Sequence, residues 1–413
     1  MLCMRALGMI VLHCSKITTM SSHVLDRRTL LSLMGLGSLW SFPSLGSAEL
    51  VTISVGGQGL LYYLPLVIAQ QLGYFEAEGL TVRIDDYPGG SQSLQALESG
   101  AADVCAGAYE HTLVAQQRGS VLRAFVVQGR APQIALGVSS RWMPRYQTLA
   151  DLRGRRVGVS SLGASTARAV QLMLLGDGLE ADLVQLVGVG SGPDAMEALR
   201  TGRVHALCHA DPLMSVLEDK GAVRIVRDLR DLRSSAQLYG GSMPSGTLYA
   251  TQAFLRKNPA KAQALSNAMV RSLKWLQTAA PMDVLRAVPA PYLLGSRRAY
   301  LSAFEHMRTT ISPDGLMPDD GPATALRALV RLNPALARSG IDLERSFTNE
   351  FVRQWRCLQR LQRFFTLDGL PPRGAVVTDT LALRFCGCTA TLRAVPVDLA
   401  ARALPPLLAR TGK

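Results

Sequence analysis

The chain has 413 residues, 48% hydrophobic and 18% charged, with seven cysteines and a formal net charge of +13. That length is ample to bury two cores. The charge does not point to nucleic acid. Residues 354–413 supply +6 of it, from nine Lys/Arg against three Asp/Glu, and residues 1–49 supply +2. The body at 50–353 keeps only +5, with no basic run and no interleaved aromatics.

Residues 1–48 read as an export signal ahead of the body. Asp26-Arg27-Arg28 precedes an apolar run at 30–45, broken by Gly35, Gly37 and Pro43, and Gly46-Ser47-Ala48 supplies a small-residue cleavage pattern. The run is shorter than the roughly 20 apolar residues of a membrane span. Cleavage near Glu49 is therefore expected rather than an anchor, and the absence of a cysteine there argues against a lipid attachment. The arginine pair resembles the twin-arginine type, with the export route left open. Met20 is a natural start for this signal, which would leave 1–19 upstream of it.

In the body, residues 50–55 alternate as a strand, Gly56-Gly57-Gln58-Gly59 makes a turn, and 60–72 has helical spacing with Leu61, Leu64, Ile68 and Leu72 on one side. Residues 80–84, 121–128 and 134–138 read as further strands. Gly89-Gly90-Ser91-Gln92-Ser93 opens the helix that leads to Gly100. A second set follows: a strand at 156–160, a helix from Ser165-Thr166 to about Leu175, and strands at 183–187 and 223–226. Strands alternating with helices of 10–15 residues predict a mostly parallel sheet with helices on both faces. Beyond Thr251 the pattern is helical, over 259–279, 296–311 and 322–331, and predicts a return to the first lobe.

One unit occurs twice at a spacing of 102. Leu94-Gln95-Ala96-Leu97-Glu98-Ser99-Gly100 precedes the apolar Val104-Cys105-Ala106-Gly107 and then Ala108-Tyr109-Glu110. Met196-Glu197-Ala198-Leu199-Arg200-Thr201-Gly202 precedes Ala206-Leu207-Cys208 and then Ala210-Asp211-Pro212. Each copy reads as helix, glycine cap, buried strand, polar turn, helix. Two similar α/β lobes imply a cleft between them that holds a small molecule. The expected division is 49–139 with 248–353 as lobe one and 140–247 as lobe two, hinged near 138–146 and 237–247. Residues 354–413, with Pro371-Pro372, Pro405-Pro406 and Cys386-Gly387-Cys388, show no clear strand or helix period beyond 358–365. They read as an extension or as a shifted reading frame.

Only Cys105 and Cys208 fall in the body, and both are expected to be free and buried. No Cys/His spacing suits zinc, so no metal site is expected. Gly56-Gly57-Gln58-Gly59 lacks the third glycine of a dinucleotide fingerprint, and nothing matches a Walker loop or a nucleophile elbow. No catalytic group and no cofactor is expected.

Three segments carry a family resemblance: Gly73-Tyr74-Phe75-x-x-Glu78-Gly79-Leu80, Gly90-x-x-x-Leu94-x-Ala96-Leu97-x-x-Gly100-x-x-Asp103, and Leu149-x-Asp151-Leu152-x-Gly154-x-Arg156-Val157-Gly158-Val159. Together they resemble the nitrate/sulfonate/taurine class of ABC-transporter substrate-binding proteins, which also takes in binders of thiamine-pyrimidine precursors. The resemblance covers residues 50–352. It implies a two-lobed α/β periplasmic-binding-protein fold of type II kind and a periplasmic, monomeric protein without catalysis. Its partners would be a small anionic or zwitterionic solute, an ABC permease and the permease's ATPase. Two alternatives stay open. One is a cytoplasmic-type pyrimidine-synthase-like enzyme of the same fold, whose Cys-rich motif this body lacks. The other is a ligand sensor without transport.

In open α/β lobes, ligands sit at the carboxyl ends of strands. The candidates there are Gln58, Tyr62, Ser91, Gln92, Tyr109, Glu110, Ser165, Thr166 and Asp211. Ser91 and Ser165-Thr166 follow glycines at helix starts, where they either cap the helix or help hold an anion. Glu110 is expected to face an amine or ring N–H, and Asp211 to bind ligand or cap a helix.

Overall fold

The computed structural model describes residues 49–356 and the strands Ala382–Phe385 and Cys388–Thr391. The export signal lies outside the described residues. So does most of the basic tail, although a strand pair forms at 382–391 where the sequence showed no strand period.

Ten strands build the body: β1 (Glu49–Gly56), β2 (Leu80–Tyr87), β3 (Val104–Ala108), β4 (Leu122–Val127), β5 (Ile134–Ser139), β6 (Arg156–Val159), β7 (Gln185–Gly188), β8 (Ala206–Ala210), β9 (Val223–Asp228) and β10 (Gly246–Thr251). They form two five-stranded sheets with the same plan, β2-β1-β3-β10-β4 and β7-β6-β8-β5-β9. The sheets are mixed rather than mostly parallel. In each, two parallel ladders sit beside a strand antiparallel to both its neighbours, β10 in the first and β5 in the second.

That inserted strand moves one predicted boundary. β5 pairs with β8 and β9, so it belongs to lobe two and not to the 49–139 segment. The first crossing between lobes therefore lies at 128–133, ahead of the expected hinge at 138–146. β5 is wholly buried, and an unbroken apolar run does not say which sheet it enters. The second crossing lies between β9 and β10, over 229–245, and overlaps the predicted 237–247 segment, whose last two residues belong to β10.

The repeat is structural. Helix α1 (Gly90–Glu98) ends ahead of Gly100 (φ 78°), and β3 leads into α2 (Glu110–Gln117). In lobe two, α3 (Ser165–Gly176) follows β6. Then α4 (Pro193–Arg200) ends ahead of Gly202 (φ 76°), and β8 leads into Leu213–Asp219. The two glycines take the left-handed conformation that closes a helix without a Cβ penalty. β3 and β8 are fully buried and offset by the 102 residues of the sequence repeat.

The return is helical, as the spacing predicts. Pro259–Thr278 packs on the helix Leu64–Gln71 of lobe one. Gly321–Leu332 rests against both α2 and α3, so this region braces the two lobes rather than the first alone. The motif segments hold the fold. The Glu78 carboxylate accepts from Asn267 Nδ2 (2.7 Å), and Asp151 accepts the Gln147 and Thr148 N–H groups in a capping box.

Candidate functional site

A small cavity of about 30 Å³ lies between the lobes, at the carboxyl ends of the central strands. Lobe one contributes Tyr62, Tyr63, Gly90 and His111, and lobe two contributes Ser160, Ser165, Thr166 and His209. No Asp, Glu, Lys or Arg is among its lining residues.

The lobes touch around it. Leu61 N–H donates to the Asp211 carbonyl (2.7 Å), Ser91 Oγ donates to Ser161 Oγ (2.7 Å), and Ser191 Oγ donates to the Pro88 carbonyl (2.8 Å). Gly89 lies so close to lobe two that an added Cβ would stand 2.8 Å from Ser161 Oγ and 3.1 Å from the Ser160 carbonyl oxygen.

Two polar atoms at the cavity are buried without a hydrogen bond, Tyr62 Oη and His111 Nε2. A buried polar atom left unpaired costs roughly 1–3 kcal/mol, so such atoms mark a place where something else binds. Burial, followed by neighbouring Tyr63 and Glu110, holds the Tyr62 hydroxyl well above its ordinary range, so it is a donor. The Ser245 hydroxyl is close enough to oppose that shift, yet it too lacks a well-formed hydrogen bond. The Tyr62–Ser245 contact is therefore weak.

His111 Nδ1 meets Tyr249 Oη at 3.0 Å. Burial first, then the Arg168 and Arg118 cations, pushes the His111 imidazole down to about 3, so the ring is neutral. The Gly163 backbone opposes the shift, but no hydrogen bond of good geometry reaches Nε2. His209 differs. Its Nδ1 accepts the Ala210 N–H (3.0 Å) and its Nε2 donates to the Gly190 carbonyl (3.0 Å), so both nitrogens are used by the fold. Burial lowers its pKa as well.

Of the nine predicted residues, Tyr62, Ser165 and Thr166 line the cavity. Thr166 Oγ1 also accepts the Ser160 N–H (3.1 Å) and shapes the turn before α3. Gln58 is tied down beside the cleft: its N–H donates to Asp86 Oδ1 (2.9 Å) and its Nε2 to Gln70 (2.9 Å). Ser91 reaches Ser161 across the cleft, while Gln92 is exposed. Neither Ser91 nor Ser165 caps its helix, because Gly89 and Ala164 hold the cap positions.

Tyr109 points away and bonds Ser346. The Glu110 carboxylate accepts from Arg168 Nη1 (2.8 Å) instead of facing the cavity. Asp211 turns into its own lobe, where it caps Ser215 N–H (2.8 Å) and pairs with Arg230 (3.3 Å). Sequence reasoning passed over His111 and Ser160. The available signal was the dipeptide Glu110-His111, of which the histidine and not the carboxylate borders the cavity.

Cys105 and Cys208 are free and buried, as expected. Burial raises both thiols, so neither is a nucleophile at neutral pH.

The profile of the family described as "NMT1/THI5 like" matches residues 61–281. A solved protein of Bordetella bronchiseptica RB50 is 46% identical; the match covers 76% of this chain and 98% of that one, with a TM-score of 0.73. The periplasmic aliphatic sulphonate binding protein SsuA of Escherichia coli shares the fold at 21% identity and a TM-score of 0.56, over 74% of this chain and 99% of that one. A curated Escherichia coli (strain K12) protein, named for binding aliphatic sulfonates, is 26% identical over 214 residues. That match takes in 52% of this chain and 66% of the relative's length. With the family profile matched over more than half of its length, and with a two-lobed periplasmic-binding-protein fold, the chain belongs to the NMT1/THI5-like family.

Proposed function

We propose that this protein is an extracytoplasmic solute-binding protein that captures a small organic solute between its lobes and delivers it to an ABC permease. The observation that carries the reading is the pair of buried, unpaired polar atoms, Tyr62 Oη and His111 Nε2, at the interlobe cavity. Ser165 and Thr166 complete the proposed contacts. The starts of α1 at Gly90 and α3 at Ser165 also border the cavity, so an anionic group on the solute would meet the positive ends of two helix dipoles. Arg168 occupies Glu110, which leaves no carboxylate for an amine; this favours the anionic over the zwitterionic solute. The names of the Escherichia coli relatives support the sulfonate class. Export by a cleavable signal in 1–48, a monomeric state and the permease with its ATPase belong to the same proposal.

The cavity is small because the lobes are close together, so entry and exit need a hinge motion at 128–133 and 229–245. The test is a thermal-shift screen with alkanesulfonates, nitrate, aromatic carboxylates and pyrimidines, on the wild type and on Gly89→Ala. The Gly89 backbone is extended (φ −170°), so alanine suits it, but its methyl would obstruct closure against Ser161. A compound that stabilises the wild type, fails on Gly89→Ala and is not turned over supports the reading. A compound that stabilises both equally, or is chemically converted, refutes it.

A further inference from the structure

Among the described residues, two ion pairs of full charges join the lobes: Arg298–Asp219, whose arginine side chain is 81% exposed, and Glu110–Arg168, which is the buried one. Glu110 opens α2 in lobe one, and Arg168 lies on α3 in lobe two, one turn beyond Ser165. Their side chains are 6% and 17% exposed and the Nη1–Oε1 distance is 2.8 Å. Neither lines the cavity. The pair is therefore made by bringing the lobes together, whatever solute lies between them.

Three neutral contacts share the seam: Leu61 N–H to the Asp211 carbonyl, Ser91 to Ser161, and Ser191 to the Pro88 carbonyl. A charge-assisted hydrogen bond is roughly twice as strong as a neutral one. Opening would return both charges to water, which offsets part of that strength. Two further cations near this region are engaged elsewhere: Arg118 with Glu98 at 2.9 Å, and Arg331 with the Leu238 carbonyl at 2.9 Å.

We propose that Glu110 and Arg168 are the two halves of a latch that favours the closed arrangement and slows its opening without touching the solute. The inference rests on the two-lobed binding reading, but its test needs no ligand. Leu61 N–H and Ser91 N–H both donate across the cleft, to the Asp211 carbonyl (2.7 Å) and to Ser161 Oγ (3.3 Å), so their exchange with solvent reports opening. Amide exchange is followed by mass spectrometry in the full chain, stripped of solute, in peptides containing Leu61 and Ser91. The proteins are the wild type, Glu110→Gln, Arg168→Gln, the double variant and the charge-reversed pair Glu110→Arg/Arg168→Glu. Amides of β3 and β8 in each protein report whether the lobes themselves remain folded.

The expected result is slow exchange at Leu61 and Ser91 in the wild type and at least tenfold faster exchange in both single variants and in the double variant. β3 and β8 stay protected, and the reversed pair recovers most of the difference. The double variant decides between two causes. If it regains wild-type protection, the single variants suffered only from a stranded charge and the latch is refuted. Equal exchange in all five proteins refutes it too, as does acceleration of β3 and β8 by the same factor as the cleft amides. A protein that fails this test but still binds solute in the thermal-shift screen leaves the binding reading standing.

Discussion

The two copies of the repeat share a backbone and use it differently. In lobe one the positions after the central strand are Tyr109, Glu110 and His111; in lobe two they are Asp211, Pro212 and Leu213. His111 turns an unpaired nitrogen toward the cavity and Glu110 reaches the other lobe. Asp211 faces inward, to Ser215 and Arg230, and Leu213 is buried in its own core. Lobe two instead borders the cavity from the start of α3, with Ser165 and Thr166. The repeat thus keeps the frame, while the residues at its strand ends leave an unpaired atom at the cavity in one lobe and are used up within the fold in the other.

Substitution at Asp211 and at its counterpart positions in lobe one breaks this comparison most directly. Asp211→Ala leaves Arg230, with a side chain 6% exposed, with Asp228 and Glu218 as its acidic partners and Ser215 Oγ as a neutral one. Burial pulls the Arg230 pKa down, and Asp228, Asp211 and Glu218 together push it above the ordinary range, so the guanidinium stays charged. The expected loss is about 3 kcal/mol in urea unfolding, while solute affinity of the folded protein changes less than about twofold. A large loss of affinity with little loss of stability would make Asp211 a ligand contact after all.

A second expectation concerns pH. The folded state holds His111 near 3 against an ordinary value of 6.5, so between those values the unfolded chain binds the extra proton. Stability therefore falls as pH drops below 6.5. This one group contributes about 2 kcal/mol of loss by pH 5, and His209 acts in the same direction. Chemical denaturation from pH 7 to 5 on wild type and His111→Gln measures the difference. Identical slopes would place a proton on His111 in the folded state.

Tyr62→Phe should separate binding from folding. Its hydroxyl has no well-formed hydrogen bond in the fold and only a weak contact with Ser245, so thermal stability should hold or rise. Affinity for a solute found in the screen should fall about five- to tenfold, the equivalent of one hydrogen bond of about 1–1.4 kcal/mol. The smallest effect is expected at Leu162, 64% exposed in the turn before α3. Leu162→Ser should change unfolding free energy by less than about 0.5 kcal/mol, as for surface positions in general.

Much of the frame is readable from the chain. The repeat at 102 predicted matching strands, and β3 and β8 stand at that offset. Helical spacing located Ser165–Gly176, Pro259–Thr278 and Gly321–Leu332 to within a few residues. These features come from local periodicity, which lies in consecutive residues. The strand β5 was readable as a strand but not as a member of the second sheet, since a fully buried run carries no facing information. Mixed pairing escaped for the same reason: both inserted strands are buried and come from beyond a lobe crossing.

The sequence by itself determined the two-lobed α/β frame, the glycine-closed helices and the identity of polar residues at the strand ends. Tertiary structure alone decided what those residues do. Glu110 is taken by Arg168, 58 positions away, and Asp211 by Arg230, whereas His111 and Tyr62 keep a free atom at the cavity. Which polar groups remain unpaired depends on partners brought together by folding. Burial then fixes the charge that each one carries, as it keeps His111 neutral.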